Sequence, residues 1–440
     1  MTPSGARIWG LGLSVAICVV VSGAAAAGEW LRDAKTNCAI WEPKPRLGMT
    51  LTWSGACEEG KATGEGVAQW HFDGKSGDHY QGAYRAGLRH GRGMFTGADG
   101  SSYDGQYQDG AMHGQGLWLD AEGNRYEGKL EKGKPEGNGI YVAKNGDRYE
   151  GTFRQGVNEG KGLFKWANGE SYEGEVAEGK PHGRGVFLTA DGGRYEGEIA
   201  KGVMHGEGVL VLANGDAYKG VFKDGRIEGE GLFNWAGGAR YKGPLVAGKP
   251  HGKGVYTATD GSRYEGPFRA GKMDGRGVYT FANGNRYEGE VKAGRLDGKG
   301  VLVTKAGDRY EGTFKDGLLQ GPGVLVSADG RRYQGGFKQG LLEGPGVLTG
   351  ADGYRYEGGF KAGLPSGRGT IAWGKSGRYE GEVAGGLMHG QGLFANANGD
   401  AYEGGFVEGR QHGLGKCRTG KDGPWQKCEW KNGEIIGWPE

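Results

Sequence analysis

Proline is scarce in this chain, 13 of 440 residues, and beyond Ala27 no apolar run is long enough to cross a bilayer. An excess of one charge is missing too: 55 basic residues face 53 acidic ones, a formal net charge of +2. Low proline excludes a collagen, which needs it in abundance beside glycine at every third position. The charge balance supplies no reason for a nucleic acid or an anionic membrane as an obligatory partner. Disorder is excluded as well, since 21 Tyr, 14 Phe and 12 Trp make the chain 11% aromatic at almost no net charge. Cysteine is sparse, with five in all.

What abounds is glycine, 99 residues, about three times the usual share. Its distribution is periodic. Tyrosine recurs every 23 residues at Tyr80, Tyr103, Tyr126, Tyr149, Tyr172, Tyr195, Tyr218, Tyr241, Tyr264, Tyr287, Tyr310, Tyr333, Tyr356, Tyr379 and Tyr402. With each Tyr as position 0, glycine fills positions +2, +7, +11 and +13 in every unit and +20 in most. Position +4 is always Phe, Tyr, Leu, Ile or Val, and positions +19 and +20 are Asn-Gly or Asp-Gly in ten units, such as Asn168-Gly169.

Asn-Gly between apolar runs signals a two-residue type I′ hairpin, because both central residues take positive φ. The spacing therefore predicts strands over 0 to +5 and +13 to +17, joined by a glycine-rich connection, in an antiparallel meander. A turn centred on +19 and +20 places +16 opposite the next Tyr and +14 opposite the next +2 glycine. Tyr, +4 and +14 then share one face. The other carries −1, which is Arg in ten units, +1, which is Glu in ten, and +15. That charged surface reads as a solvated ladder that keeps a long sheet soluble, with a docking groove as the alternative.

Ahead of the repeats, Arg7, the uncharged stretch 8–21 and Ser22-Gly23-Ala24-Ala25-Ala26-Ala27 read as a secretory signal peptide over 1–27, an uncleaved anchor being the alternative. Cys18 leaves with it. Of the remaining four, Cys38 and Cys57 are symmetric about Leu47-Gly48, and Cys417 and Cys428 flank Asp422-Gly423. Both pairs are expected to face across a hairpin and form disulfides.

Candidate chemistry is thin. His90, His113, His182, His205, His251, His389 and His412 share position +10, but equivalent positions in successive hairpins lie about 9.6 Å apart, too far to share one zinc. They read as polar turn residues, so no metal site is expected. Gly-x-Gly recurs without the following helix that phosphate binding needs. No nucleophile stands beside a base, so neither catalytic residues nor cofactors are expected, and the protein reads as a non-enzyme.

A unit such as Tyr310-Glu311-Gly312-Thr313-Phe314 with Gly317, Gly321 and Gly323 resembles the MORN repeat (membrane occupation and recognition nexus). The likeness runs from Tyr80 to Gly415, preceded by a degenerate unit with Trp53, Gly55, Gly60, Gly64 and Gly66, and followed by a fragment with Trp430, Gly433 and Gly437. The resemblance implies an elongated hairpin array serving as a scaffold, dimerisation or attachment module. Some members of the family carry a lipid kinase or another catalytic domain; the flanks here are too short for one. Residues 28–79 then form an N-terminal cap containing the degenerate repeat, 80–415 the tandem repeats and 416–440 a C-terminal cap.

The expected fold is all-β, an elongated single-layer antiparallel β-hairpin solenoid of 23-residue period. The expected role is an exported scaffold, periplasmic or extracellular, that binds an unknown protein partner or itself as a homodimer and no nucleic acid. The alternative is a carbohydrate-binding rod that stacks a glycan on Tyr126, Tyr149, Tyr172, Tyr195, Tyr241, Tyr264, Tyr287 and Tyr310 at a pitch of about 9.6 Å. Membrane-lipid association, suggested by the family name and not by the charge, ranks third.

Overall fold

The computed structural model describes residues 28–350 and 352–439; the expected signal peptide and Cys18 lie outside the described residues. Among these the chain forms 39 strands and no helix. It divides into two compact units, meeting in sequence between Ala236 and Gly237. Each is an open antiparallel sheet of consecutive hairpins.

One repeat explains the rest. Strand Arg125–Glu131 is followed by strand Lys134–Val142, and the next unit opens with strand Arg148–Arg154. Between the first two, Lys132 and Gly133 have φ of 50° and 79°, and Glu131 pairs with Lys134. Two positive φ values closed by that pair make a type I′ turn. It therefore sits at +6 and +7, where a two-residue turn and a bulge replace the longer connection expected from the sequence, so that the second strand begins at +8.

The Asn-Gly positions do something else. The Gly146 amide donates to the Ala143 carbonyl at 2.9 Å, and the Ala143 amide donates to the Asp147 carbonyl at 2.8 Å. Gly146 has φ of 95°. This is a three-residue loop, a type I turn closed by a left-handed glycine. Its odd residue moves the register by one, so Tyr141 at +15 pairs with Tyr149, where the sequence predicted +16. Side chains alternate between faces. The Tyr face therefore carries +4 and +15, while +14 lies with the Arg and Glu residues; the sequence reading had these two reversed.

The strands are also bulged. Gly128 pairs with Gly139, but Leu130 pairs with Pro135, so three residues on one strand, 136–138, oppose Lys129 alone. Gly137, in the middle of the three, has φ of 70°, a conformation that a side chain resists. Both margins of the sheet are laced. The Gly156 turn amide donates to the Pro135 carbonyl of the previous repeat at 2.9 Å, and the Asp147 carboxylate accepts the Ala167 amide of the next loop at 2.8 Å.

The terminal pairs differ from expectation in register. Cys38 is bonded to Cys57, with Cα atoms 5.7 Å apart, yet no hairpin turns at Leu47-Gly48. Strand Ala39–Glu42 pairs with Glu29–Arg32, and Met49–Trp53 pairs with Lys61–Phe72. The bond thus ties an added N-terminal hairpin to the first repeat. Cys417 is bonded to Cys428 at a Cα distance of 5.8 Å, but Cys417 pairs with Gln426 and Cys428 with Gly415. The link is diagonal because the loop is longer than Asp422-Gly423.

Candidate binding surfaces of the repeat array

The recurring geometry of the Tyr face begins with missing side chains. A Cβ on Gly128 would come 2.6 Å from the Tyr126 Oη, and one on Gly139 only 2.5 Å. Both distances are far inside contact, so positions +2 and +13 are glycine because the ring lies flat along the strand across them. The ring's hydroxyl then reaches the bulge. Tyr126 donates to the Lys129 carbonyl at 2.8 Å, Tyr149 to Thr152 at 3.0 Å, and Tyr172 to Glu175 at 2.7 Å. Tyr195, Tyr241, Tyr264 and Tyr287 do the same to Glu198, Pro244, Pro267 and Glu290. Each tyrosine thus adds a second bond at the carbonyl beside the bulge, as at Pro244 and Pro267, whose carbonyls also accept the His251 and Asp274 amides at 2.9 and 3.0 Å, and it satisfies its own buried hydroxyl there.

The residue at +4 closes the cover. Phe153 packs edge-on against Tyr149 of its own unit at 5.1 Å and against Tyr126 of the previous one at 5.2 Å. Where +4 is Leu130 or Val176, an aliphatic side chain is buried in its place. Burial holds the phenols neutral, pushing Tyr149, Tyr195, Tyr264 and Tyr287 up to about 12 and raising Tyr126 and Tyr172 as well.

Of the eight tyrosines singled out as a stacking surface, the seven from Tyr126 to Tyr287 are buried, and none presents an open ring face. Tyr310 departs from the pattern. Leu319 and Phe337 move over its glycines, so that a Cβ on Gly312 would meet the Leu319 side chain at 2.9 Å, and the Tyr310 ring is half-buried.

A second row pairs a ring at +15, buried at Phe164 and Phe233, with a more accessible ring at +17. Phe164 stacks on the half-buried Trp166 with centroids 5.5 Å apart, Phe233 lies 4.7 Å from Trp235, and Tyr279 lies 4.6 Å from Phe281. These are positions +15 and +17. Sequence reasoning missed them because a register wrong by one residue put +15 among the charges.

The charged face is a ladder of pairs along single strands. Arg125 meets Glu127 at 2.6 Å, Arg148 meets Glu150 at 2.7 Å and Arg309 meets Glu311 at 2.6 Å. Their side chains are about half exposed, so each pair contributes roughly 0.2 to 1 kcal/mol, the range of solvated ion pairs. The histidines at +10 serve through their backbones: the carbonyls of His182 and His389 accept from the Tyr172 and Tyr379 hydroxyls, both at 3.1 Å. Among the described residues no group of three His, Cys, Asp or Glu side chains could hold a metal, and no helix is long and apolar enough to cross a membrane.

The MORN repeat family matches fifteen consecutive segments, from residues 80–102 to residues 402–421. The chain belongs to the MORN-repeat family, a class of non-enzymatic repeats that mediate protein or membrane interactions. No curated protein matches it. Solved structures give only faint likenesses. The TCP domain of SAS-4 (dCPAP) from Drosophila melanogaster, solved with a proline-rich motif, is 10% identical over 44% of this chain and 86% of that one, with a TM-score of 0.19. A TCP10 domain of CPAP from Danio rerio is 12% identical over 59% and 94%, at 0.13. Virginiamycin B lyase from Staphylococcus aureus is 12% identical over 74% and 96%, at 0.12. At such scores none of them informs the activity of this chain.

Proposed function

We propose that this protein is an exported, non-enzymatic scaffold whose repeats bind a protein partner in the periplasm or outside the cell. One observation carries the reading: the recurring glycines, tyrosines and +4 side chains are consumed in building the sheet, leaving the outer rows and turn margins as interaction surface. Two joined cysteine pairs favour an oxidising compartment. The test is fractionation of the native host, with intact-mass analysis and in-cell crosslinking. The mature chain should begin near Gly28, lack free thiols and crosslink to a discrete envelope or secreted protein. A cytosolic chain with reduced cysteines would refute export, and the absence of any specific crosslink would refute the scaffold.

The carbohydrate alternative survives only in altered form. The half-exposed Trp166, Trp235 and Phe281, and not the buried tyrosines, are the rings a sugar would meet. Saturable binding on a glycan array that is lost on Trp166→Ala would favour it over the protein-binding role.

A further inference from the structure

The repeats are not equivalent at position +8, beside the type I′ turns. Four in succession carry leucine there, Leu318, Leu341, Leu364 and Leu387, and all four are about half exposed, between 48% and 55%. The preceding and following units have Arg295 and Arg410. Across each turn stands position +5, and the pairs are Lys315 with Leu318, Lys338 with Leu341, and Lys361 with Leu364. Lysine and leucine thus alternate along this margin at the strand spacing, about 4.8 Å, as far as the fourth pair, where Leu387 faces Ala384. The nearby carboxylates are already answered: Asp316 is bound by Arg295 at 2.7 Å, and Glu343 accepts the Ala362 amide at 3.0 Å.

Inward of the leucines the same face is bare. Pro322 pairs with Gly336 and Pro345 with Gly359, whereas Lys299 with Thr313 occupies the equivalent place on one side and Arg368 with Glu382 on the other. A shallow uncharged lane, bordered by an apolar and basic margin and closed by charges at both ends, is therefore confined to this part of the C-terminal unit.

We propose that this lane and its margin are a docking site for an acidic amphipathic helix of a partner protein. Charge selects the occupant. A second copy of the chain laid on the same stripe would bring lysines against lysines, which disfavours self-association, whereas a helix with carboxylates flanking its apolar seam answers all three. Length agrees along the margin: Leu318 to Leu387 spans three repeats, about 29 Å, the length of a helix of about 20 residues, whose last turn would pass the end of the uncharged lane and lie beside Arg368 and Glu382. Heptad leucines on such a helix recur every ~10.5 Å, close to the repeat pitch of about 9.6 Å. The site rests on the scaffold reading above and gives it an address.

The experiment uses the full mature chain and two synthetic helical peptides of that length with leucine at every seventh position, one flanked by Glu and one by Lys. By fluorescence anisotropy the acidic peptide should bind saturably and at least about tenfold more tightly than the basic one. Leu341→Glu and Lys338→Glu should each weaken it about tenfold with unchanged circular dichroism, while Val203→Glu, at the same repeat position in the other unit, should have no effect. Equal binding of both peptides, or indifference to Leu341→Glu, would overturn the proposal. So would adsorption to phosphatidylglycerol vesicles that needs Leu341 and that the acidic peptide fails to displace. A crosslinked partner retained by Leu341→Glu would remove this site and leave the scaffold role standing.

Discussion

The tyrosine at position 0 has two separable jobs, covering glycines +2 and +13 and bonding the bulge carbonyl. Tyr149→Phe keeps the ring and loses only the bond to Thr152, so urea denaturation should show a loss of about 1 kcal/mol. Tyr149→Ala also opens a void beneath Phe153 and should cost about 3 to 5 kcal/mol. Equal losses would mean that the hydroxyl, not the ring, holds the repeat. Burial makes the same residues sensitive to alkali. Their folded phenols titrate near 12, against about 10 in an unfolded chain. Below pH ~10 these phenols are neutral in both states and contribute no pH dependence; above it the unfolded chain loses phenol protons first, so stability falls as pH rises. Tyrosinate absorbance should therefore appear together with loss of strand signal. Smooth titration of the phenols in a still-folded chain would contradict their burial.

Turns and loops, at the scale of the element, use glycine for different reasons, and substitution should tell them apart. Gly133 needs its left-handed φ but has open space around it. Gly133→Ala should cost about 1 to 2 kcal/mol, and Gly133→Asn less, since asparagine tolerates that region. Gly139 needs the absence of a side chain. Gly139→Ala forces its Cβ into the Tyr126 ring and should cost more than Gly133→Ala, with Gly139→Asn worse still. Thermal melts of the four variants test the ordering; rescue by asparagine at 139 would show that conformation, and not the ring, fixes that glycine.

For the whole molecule, stability in a repeat array comes from nearest-neighbour contacts, so the ends are its weak points. The Cys417–Cys428 link closes a loop with a sequence separation of 11. Its removal by Cys417→Ser with Cys428→Ser should cost about 2 to 3 kcal/mol. Hydrogen exchange should rise in Gln426–Gly437 well before it rises at strand Arg309–Lys315. Uniform loss of protection would instead mean that the array unfolds as one body. The Cys38–Cys57 link holds an added hairpin against the first repeat, and the corresponding variant should free that end alone.

The 23-residue period, the strand content, the paired ends and the family were all legible in the sequence, because glycine and tyrosine recur where the backbone and the ring demand them. Which residues share a face was not. An Asn-Gly dipeptide is compatible with a two-residue type I′ turn and with a three-residue loop closed by a left-handed glycine, and the two differ by a single residue of register. In a strand that one residue exchanges the faces, which is why Phe164 and Phe233 were expected among the arginines and lie beside the tyrosines. Sequence spacing also put Cys417 directly opposite Cys428, where a longer loop makes the link diagonal. The sequence alone determined the repeat and its chemistry. Only the tertiary structure decided the register, because the bulge at +10 to +12 and the loop at +17 to +21 are settled by the neighbouring strands that pair across them, and no dipeptide records those strands.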